Sequence, residues 1–249
     1  MVYFNTHNKR ILCNDDPVSH NIQEHDKKNE LWDRAAAYFV GSIEAGNDDS
    51  GDERSGGLLL FNLGKQLCSE FNTCSKGFAK INDEIISLFR TGQGALNGNQ
   101  CNILEDTIGQ IESLINVPLL QGLIRSADRS DGVQAKSRSN EDIAEGFMFA
   151  TVLLPIIDRA DPEAASLISQ NMVQPFKTST RPMPSGKLEV FDMVARIIPK
   201  IGISCENIGI YDGYDFCKGA ASQSSSALLT STLSSTLFVC TLFQIIFSF

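Results

Sequence analysis

Apolar residues at helical spacing run through the central part of this 249-residue chain, and this pattern constrains its fold most strongly. In the stretch over residues 76–90, for example, Phe78, Ile81, Ile85 and Phe89 fall on one face of a helix. No run alternates in polarity over more than four residues, as a half-buried strand would. We therefore predict an all-α fold, a single-domain helical bundle of about seven helices.

Composition divides the chain into three regions. Residues 1–26 are polar and aperiodic, which is typical of a loose N-terminal arm. Residues 27–217 carry the helical pattern, and a domain of about 190 residues is long enough to bury a sizeable core. Residues 218–249 combine a polar spacer with a hydrophobic tail. Within the helical domain, the glycines and asparagines of residues 91–100 predict a turn region.

The C-terminal tail has the order of a signal for glycosylphosphatidylinositol (GPI) attachment. The small residues Gly219, Ala220 and Ala221 come first, a Ser/Thr-rich spacer covers residues 223–236, and an apolar run covers residues 237–249. Small residues, spacer and hydrophobic tail are the three parts of such a signal. We therefore predict GPI attachment at the small residues and a lipid anchor on the membrane.

Two other interpretations of the tail remain open. Residues 227–249 are just long enough for a single transmembrane helix, which takes about 20 residues. However, serines and threonines dilute the first half of this stretch, and no Lys or Arg follows it as a positive anchor. A buried C-terminal helix is the third interpretation.

A GPI signal requires entry into the secretory pathway, yet the start of the chain has no apolar stretch of the kind a signal peptide needs. We therefore expect that the leader peptide is missing from this sequence. The expected location is the extracellular face of the plasma membrane or the periplasmic space.

The cysteines suit an extracellular protein. Of the seven, Cys240 lies in the tail, and the remaining six are Cys13, Cys68, Cys74, Cys101, Cys205 and Cys217. An even number in a surface protein predicts disulfides that staple the bundle. Sequence alone does not choose among the pairings, and we favour the local pairs Cys68–Cys74 and Cys205–Cys217. Zinc is disfavoured because no Cys-x-x-Cys pair occurs.

Charge and motifs narrow the function classes. The net charge of −9 argues against a nucleic-acid partner, because such binding relies on Lys and Arg to neutralise phosphates. The chain has no Gly-x-Ser-x-Gly and no His-Glu-x-x-His motif. No histidine beyond His25 is present to act as a general base. We therefore expect a protein that is not an enzyme.

Four stretches carry a resemblance to a known family: LWDRAAAYFVGSIE over residues 31–44, VPLLQGLIR over 117–125, AEGFMFATVLLP over 144–155 and IGISCE over 201–206. In this order they resemble the algal iron-assimilation proteins, the low-iron-inducible periplasmic family to which the diatom phytotransferrins are related. The resemblance spans residues 31–217. It implies a cell-surface protein that is induced when iron is scarce and that captures ferric iron, with carbonate as a co-ligand.

The resemblance does not supply a complete metal site, so the candidate ligands come from residue chemistry. Ferric iron is a hard cation and prefers oxygen ligands. The first helix places Asp33, Tyr38 and Glu44 within three turns, and Glu145 lies in an otherwise apolar helix. Arg125 ends an apolar segment and has the fork of donors that holds carbonate.

Each of these residues also has a structural interpretation. Glu145 could pair with Arg125 or Arg34 in an ion bridge, which would satisfy a carboxylate in apolar surroundings. Tyr38 could belong to the core, where it would share an apolar stripe with Ala35 and Phe39, and Asp33 could be a solvated surface residue.

A secondary set of metal candidates lies just before Cys217. It consists of two tyrosines and two aspartates: Tyr211, Asp212, Tyr214 and Asp215. Their oxygens suit a hard cation. The alternative is a turn bounded by a disulfide, because Asp-Gly at 212–213 is typical of tight turns.

Two functions therefore remain in competition. The first is a non-enzymatic iron-binding protein that concentrates ferric iron or iron chelates for uptake, with a permease or an endocytic receptor as its partner. The second is an adhesion or structural surface protein on the same helical scaffold, with no metal role.

Overall fold

The computed structural model of the chain describes residues 22–41, 59–131, 140–174 and 185–220, with side chains from Lys27 onward in the first range. The α-helices in these ranges are α1 (Ile22–Val40), α2 (Leu60–Leu67), α3 (Lys80–Asn97), α4 (Cys101–Leu114), α5 (Asn116–Ser130), α6 (Asn140–Ala160), α7 (Pro162–Ile168), α8 (Lys187–Ile197) and α9 (Cys205–Ile208). A π-helical turn, Ser169–Val173, continues α7, and a 3-10 turn, Ile198–Ile201, continues α8.

Helices dominate the described residues, so the prediction of an all-α bundle stapled by disulfides is confirmed. One hydrophobic core draws buried side chains from every helix from α1 to α9, such as Trp32, Ile85, Leu120, Leu153 and Val190.

The central helix of the bundle is α5. It packs against α2, α4, α6, α8 and α9, and all but two of its 15 residues are buried. Small residues let its neighbours approach closely, since a Cβ added to Gly122 would lie 2.5 Å from the Phe149 ring on α6. The apolar residues of the stretch 117–124 fill the core. Gln121, within this stretch, and Arg125, directly after it, are polar and are also buried.

The turn that we predicted over residues 91–100 is wrong, because α3 continues as a helix to Asn97. Gly92 lies against the indole ring of Trp32, and a Cβ there would stand 2.1 Å from Trp32 Cζ2. Trp32 Nε1 also donates a hydrogen bond of 3.0 Å to the carbonyl of Phe89. The glycine therefore serves close packing of α1 on α3 and does not break the helix.

The first helix also begins earlier than expected, at Ile22, inside the segment that we predicted to be a loose arm. Apolar periodicity detects only the part of a helix that is packed against a core. Residues 23–28 are almost wholly polar, so they extend α1 without a periodic signal.

Two small hairpins interrupt the helical pattern. Strands β1 (Cys74–Ser75) and β2 (Phe78–Ala79) pair antiparallel, as do β3 (Ile210–Tyr211) and β4 (Tyr214–Asp215). Their two-residue turns, Lys76-Gly77 and Asp212-Gly213, have positive φ at both positions, which is typical of tight hairpins. Strands of two residues are too short for alternation to reveal them.

The two local disulfides that we favoured are confirmed. Cys68 is bonded to Cys74, and Cys205 is bonded to Cys217. Cys101 begins α4 and is partly buried. Cys13 lies outside the described residues, so disulfide bonding of Cys13 and Cys101 stays a prediction.

The C-terminal region is described as far as Ala220, and residues 216–220 are helical. Gly219 packs beside Tyr214, where an added Cβ would lie 2.6 Å from the phenol oxygen. Ala221 and the tail after it lie outside the described residues. Among the helices that are described, none has both the length and the apolar character to cross a membrane.

Candidate functional site

Arg125 is the centre of the candidate site. It lies on α5, is only 8% exposed, and donates a hydrogen bond of 2.7 Å from Nη2 to Oε1 of Glu145 on α6. Its Nη1 lies 3.6 Å from Oε1 of Glu70, in the turn that follows α2. Ser126 Oγ lies 3.4 Å from the second oxygen of Glu145 and donates to it. The guanidinium is therefore flanked by two carboxylates from different parts of the chain.

Local packing explains why these groups meet. Gly146, next to Glu145, allows α6 to lie close to its neighbours, because a Cβ there would stand 2.6 Å from Met172 Cε and 3.3 Å from Ser126 Cβ. Glu70 belongs to a short loop closed by the Cys68–Cys74 disulfide, and both Cys68 and Phe71 are buried. The loop thus presents Glu70 at a fixed place beside α5.

A second group of charges lies one turn further along α5. Asp128 Oδ1 accepts a hydrogen bond of 2.5 Å from Nζ of Lys187, at the start of α8. The same ammonium donates to Asp212 at 3.0 Å, and the phenol of Tyr211 donates to Asp128 Oδ2 at 3.1 Å. The backbone N–H of Lys187 donates to Asp131 at 3.2 Å. This group ties the second hairpin to the ends of α5 and α8.

We call the combined set the α5 charge cluster; its members are Glu70, Arg125, Asp128, Glu145, Lys187, Tyr211 and Asp212. It joins two candidate sets that the sequence kept apart, because Arg125 and Glu145 now belong with Tyr211 and Asp212. Its carboxylates outnumber its cations by four to two. An excess of negative charge of this kind favours a cation as ligand.

The tyrosines are held in their protonated form. Burial raises the pKa of Tyr211, and the charge and hydrogen bond of Asp128 and the charge of Glu70 raise it further. Burial and the hydrogen bond to Asp192 raise the pKa of Tyr214 in the same way. Each phenol proton is already donated to a carboxylate, from Tyr211 to Asp128 and from Tyr214 to Asp192.

Lys187 remains charged within the cluster. Burial alone lowers its pKa, but the hydrogen bonds and charges of Asp128 and Asp212 outweigh burial and raise the pKa overall. Its single positive charge therefore offsets part of the negative charge of the two aspartates. Asp128 and Asp212 are therefore less available to a cation than Glu70, whose contact with Arg125 at 3.6 Å is longer than a hydrogen bond.

The remaining secondary candidates do other work. Tyr214 donates to Asp192 on α8. Asp215 accepts hydrogen bonds from the backbone N–H groups of Cys217 and Lys218, and so caps the helical residues 216–220. Both residues fix the second hairpin, as the turn interpretation predicts.

The candidate ligands Asp33 and Tyr38 of α1 lie on the exposed face of the helix. Trp32, Ala35 and Phe39 face the core, whereas Asp33 is exposed and Tyr38 is 62% exposed. The prediction that Tyr38 shares the apolar stripe is therefore wrong, because the buried face of α1 begins at Trp32 and leaves Tyr38 outside it. Asp33 and Tyr38 lie on the outer surface of α1 and not in an interior cavity.

Glu44, the third candidate of this helix, lies outside the described residues. Arg34, which we had considered as a partner of Glu145, instead pairs with Glu30 one turn earlier on α1. Arg125 is therefore the partner of Glu145.

Sequence reasoning missed three members of the cluster: Glu70, Asp128 and Lys187. Asp128 had a usable signal, since it follows Arg125 by three residues and shares a helix face with it. Glu70 was marked only by its place between two cysteines. Lys187 had no local signal, because its contacts with Asp128 are made between residues 59 apart.

A third group of metal-binding residue types lies at the second disulfide. The ligand atoms of Cys205, Glu206 and Cys217 lie within 4.8 Å of one another. Both sulfurs are bonded to each other, and it is the thiolate that binds metal. This group therefore offers only the Glu206 carboxylate.

Glu70 and Glu145 flank the same guanidinium, and their side chains are 35% and 31% exposed, so a solvent-borne ion can reach both. In addition, Nε of Arg125 is buried and has no hydrogen-bond acceptor within the described part of the chain.

Comparisons with protein-family models, with curated proteins and with solved structures find no match to this chain.

Proposed function

We propose that this is a non-enzymatic, cell-surface protein that binds ferric iron and concentrates it for uptake when iron is limiting. The ligands are the carboxylates of Glu70 and Glu145, and Arg125 holds a carbonate that completes the site. A permease or an endocytic receptor then takes up the iron.

The observation that carries this proposal is the state of Arg125. A buried guanidinium with one strong carboxylate contact, one loose contact at 3.6 Å and one unused donor is incompletely satisfied. Buried polar groups normally find partners, so an unused donor calls for an acceptor. A carbonate oxygen is such an acceptor, and guanidinium groups bind planar oxyanions well.

Charge balance supports the same set of groups. A ferric ion carries three positive charges and the guanidinium carries one. The carboxylates of Glu70 and Glu145 together carry two negative charges and carbonate carries two more. The complete site would be neutral, which limits the cost of its partial burial.

Location is the second part of the proposal. The order of small residues, spacer and apolar run in residues 219–249 favours a GPI anchor. The two disulfides favour an oxidising compartment outside the cytoplasm. An iron-binding protein at the outer face of the membrane would meet iron where it arrives.

Isothermal titration with ferric citrate, with and without bicarbonate, tests this function. We expect micromolar binding that is stronger with bicarbonate. Glu145→Gln should weaken it at least about tenfold. The control is Glu105→Gln, which neutralises an exposed carboxylate on α4 and should bind as the wild type does. Absence of ferric binding by the wild type would remove the proposal.

The competing proposal is an adhesion or structural role on the same scaffold. It is favoured by large apolar side chains at the surface, such as Tyr38 and Met148 at 62% exposure and Val152 at 56%. Transcript levels in iron-limited and iron-replete cells separate the two roles. Induction under iron limitation supports iron capture, whereas unchanged levels support adhesion.

A further inference from the structure

Glu70 forms an ion pair with Arg125 but no hydrogen bond. The distance of 3.6 Å between Nη1 and Oε1 is longer than a hydrogen bond. Glu70 is carried by the loop over residues 68–74, which we call the Glu70 loop. This loop is closed by the Cys68–Cys74 disulfide and by a hydrogen bond of 2.8 Å from Thr73 N–H to the Cys68 carbonyl. Whatever fixes this loop therefore fixes the backbone position from which the Glu70 side chain extends.

The second hairpin packs against the Glu70 loop at Phe71, the residue after Glu70. Ile210 N–H donates a hydrogen bond of 3.0 Å to the carbonyl of Phe71. The ring of Tyr211 stacks on the ring of Phe71, with centroids 4.6 Å apart. Gly209 permits this approach, because an added Cβ would lie 2.1 Å from the Phe71 carbonyl oxygen.

Tyr211 is itself fixed to the helix that carries Arg125. Its phenol donates to Asp128, one turn after Arg125 on α5. The contacts therefore form a closed path from Arg125 along α5 to Asp128, through Tyr211 to Phe71, and back through Glu70. The charge of Glu70 also contributes to the raised pKa of Tyr211, in agreement with a carboxylate near the phenol.

We propose that Tyr211 is a positioning residue that holds Glu70 at the distance from Arg125 and Glu145 at which both carboxylates reach one cation. The proposal rests on the ferric-iron function proposed above. Tyr211 does not touch the ion; its hydroxyl anchors to α5 and its ring supports the Glu70 loop. The sequence had suggested Tyr211 as a ligand, and this assignment gives it a different role.

The test is a double-mutant cycle on ferric citrate affinity in bicarbonate buffer, with Tyr211→Phe, Glu70→Gln and the double variant. Tyr211→Phe keeps the ring on Phe71 but loses the bond to Asp128, and should weaken binding about tenfold. In the Glu70→Gln background, the same change should have no further effect, because the carboxylate that it positions is absent. A merely structural contribution of the hydroxyl would weaken binding equally in both backgrounds.

Tyr214→Phe is the matched control. It removes a phenol–aspartate hydrogen bond from the same hairpin, to Asp192 on α8, and should leave the affinity unchanged. If Tyr211→Phe binds iron as the wild type does, or if its effect is the same with and without Glu70, the positioning role is overturned while the iron function stands. If the wild type binds no ferric iron, the function and this role fail together.

Discussion

The buried guanidinium of Arg125 faces two carboxylates, Glu145 at 2.7 Å and Glu70 at 3.6 Å, which come from different parts of the chain. Removal of one partner of a buried ion pair costs about 3–5 kcal/mol when the other charge stays buried. Glu70 and Glu145 are about one-third exposed, so water recovers part of that cost.

We therefore expect Arg125→Met to lower the free energy of unfolding in urea by about 2 kcal/mol. Arg34→Met is the control. It removes an exposed ion pair within α1 and should cost about 0.3 kcal/mol. Equal costs for the two variants would show that the buried guanidinium contributes no more than a surface one.

The tyrosines lead to a prediction about colour. Tyr211 and Tyr214 each donate the phenol proton to an aspartate, and the proposed ligands are carboxylates, so we expect neither phenol to bind iron. A tyrosinate bound to ferric iron gives a charge-transfer band in visible light, whereas carboxylates do not. We expect the ferric protein to lack such a band, and a strong visible band would contradict the assignment of carboxylate ligands.

At the scale of elements, the contact of α1 with α3 depends on one glycine. A Cβ at position 92 would stand 2.1 Å from the Trp32 ring, so Gly92→Ala must push the helices apart. We expect a loss of about 1–3 kcal/mol in thermal or urea unfolding.

Gly94 is the matched control in the same helix, because an added Cβ there meets nothing within 4 Å. Gly94→Ala should stabilise the protein by about 0.4–1 kcal/mol, since alanine loses less backbone entropy on folding. If both substitutions had the same sign, close packing would not be the reason for glycine at position 92.

Asp161 joins three elements. It is 7% exposed, accepts a hydrogen bond from Ala164 N–H at the start of α7, and pairs with Arg196 of α8 and Lys200 of the 3-10 turn. Burial raises its carboxyl pKa, but the hydrogen bonds from Lys200 and Ala164 and the charges of Arg196 and Lys200 outweigh burial, so the pKa lies below its ordinary value of 3.8.

A lowered pKa means that the folded state binds this proton less tightly than the unfolded state does. The stabilisation is therefore full above pH 3.8 and is lost as the pH falls through the pKa of the folded protein. We expect Asp161→Asn to cost about 2 kcal/mol at neutral pH. The difference from wild type should shrink in urea unfolding at progressively lower pH. A difference that stays constant down to the acid limit would rule out this ionic role.

Elements whose burial depends on residues close in sequence were predictable, whereas those that depend on distant residues were not. The helix face of Ile81, Ile85 and Phe89 was predictable, because its burial depends on local spacing. Phe78, which we placed on the same face, instead lies in β2 and is 64% exposed. The two local disulfides were predictable because their cysteines are close in sequence. The helical structure of the glycine-rich end of α3 was not predictable, because Gly92 is required by close packing against Trp32, a residue far away in the chain.

At the scale of the whole molecule, the same distinction separates the fold from the site. The all-α class follows from periodicity summed over many residues. The α5 charge cluster assembles residues from five distant segments, around Glu70, Arg125, Glu145, Lys187 and Tyr211. The sequence singled out Arg125 with Glu145 and, as a separate set, Tyr211 with Asp212. Non-local contacts of this kind leave no spacing pattern in a single sequence.

The described part of the molecule thus combines a helical bundle with a net-negative cluster on its central helix. We propose that this cluster takes up a ferric ion through Glu70 and Glu145. Equilibrium dialysis against ferric citrate in bicarbonate buffer, followed by measurement of protein-bound iron, tests it most directly. We predict about one ferric ion per chain for the wild type and for Glu105→Gln, and none for the Glu70→Gln/Glu145→Gln double variant. A wild-type protein that retains no iron, or a double variant that retains as much as the wild type, would contradict the claim.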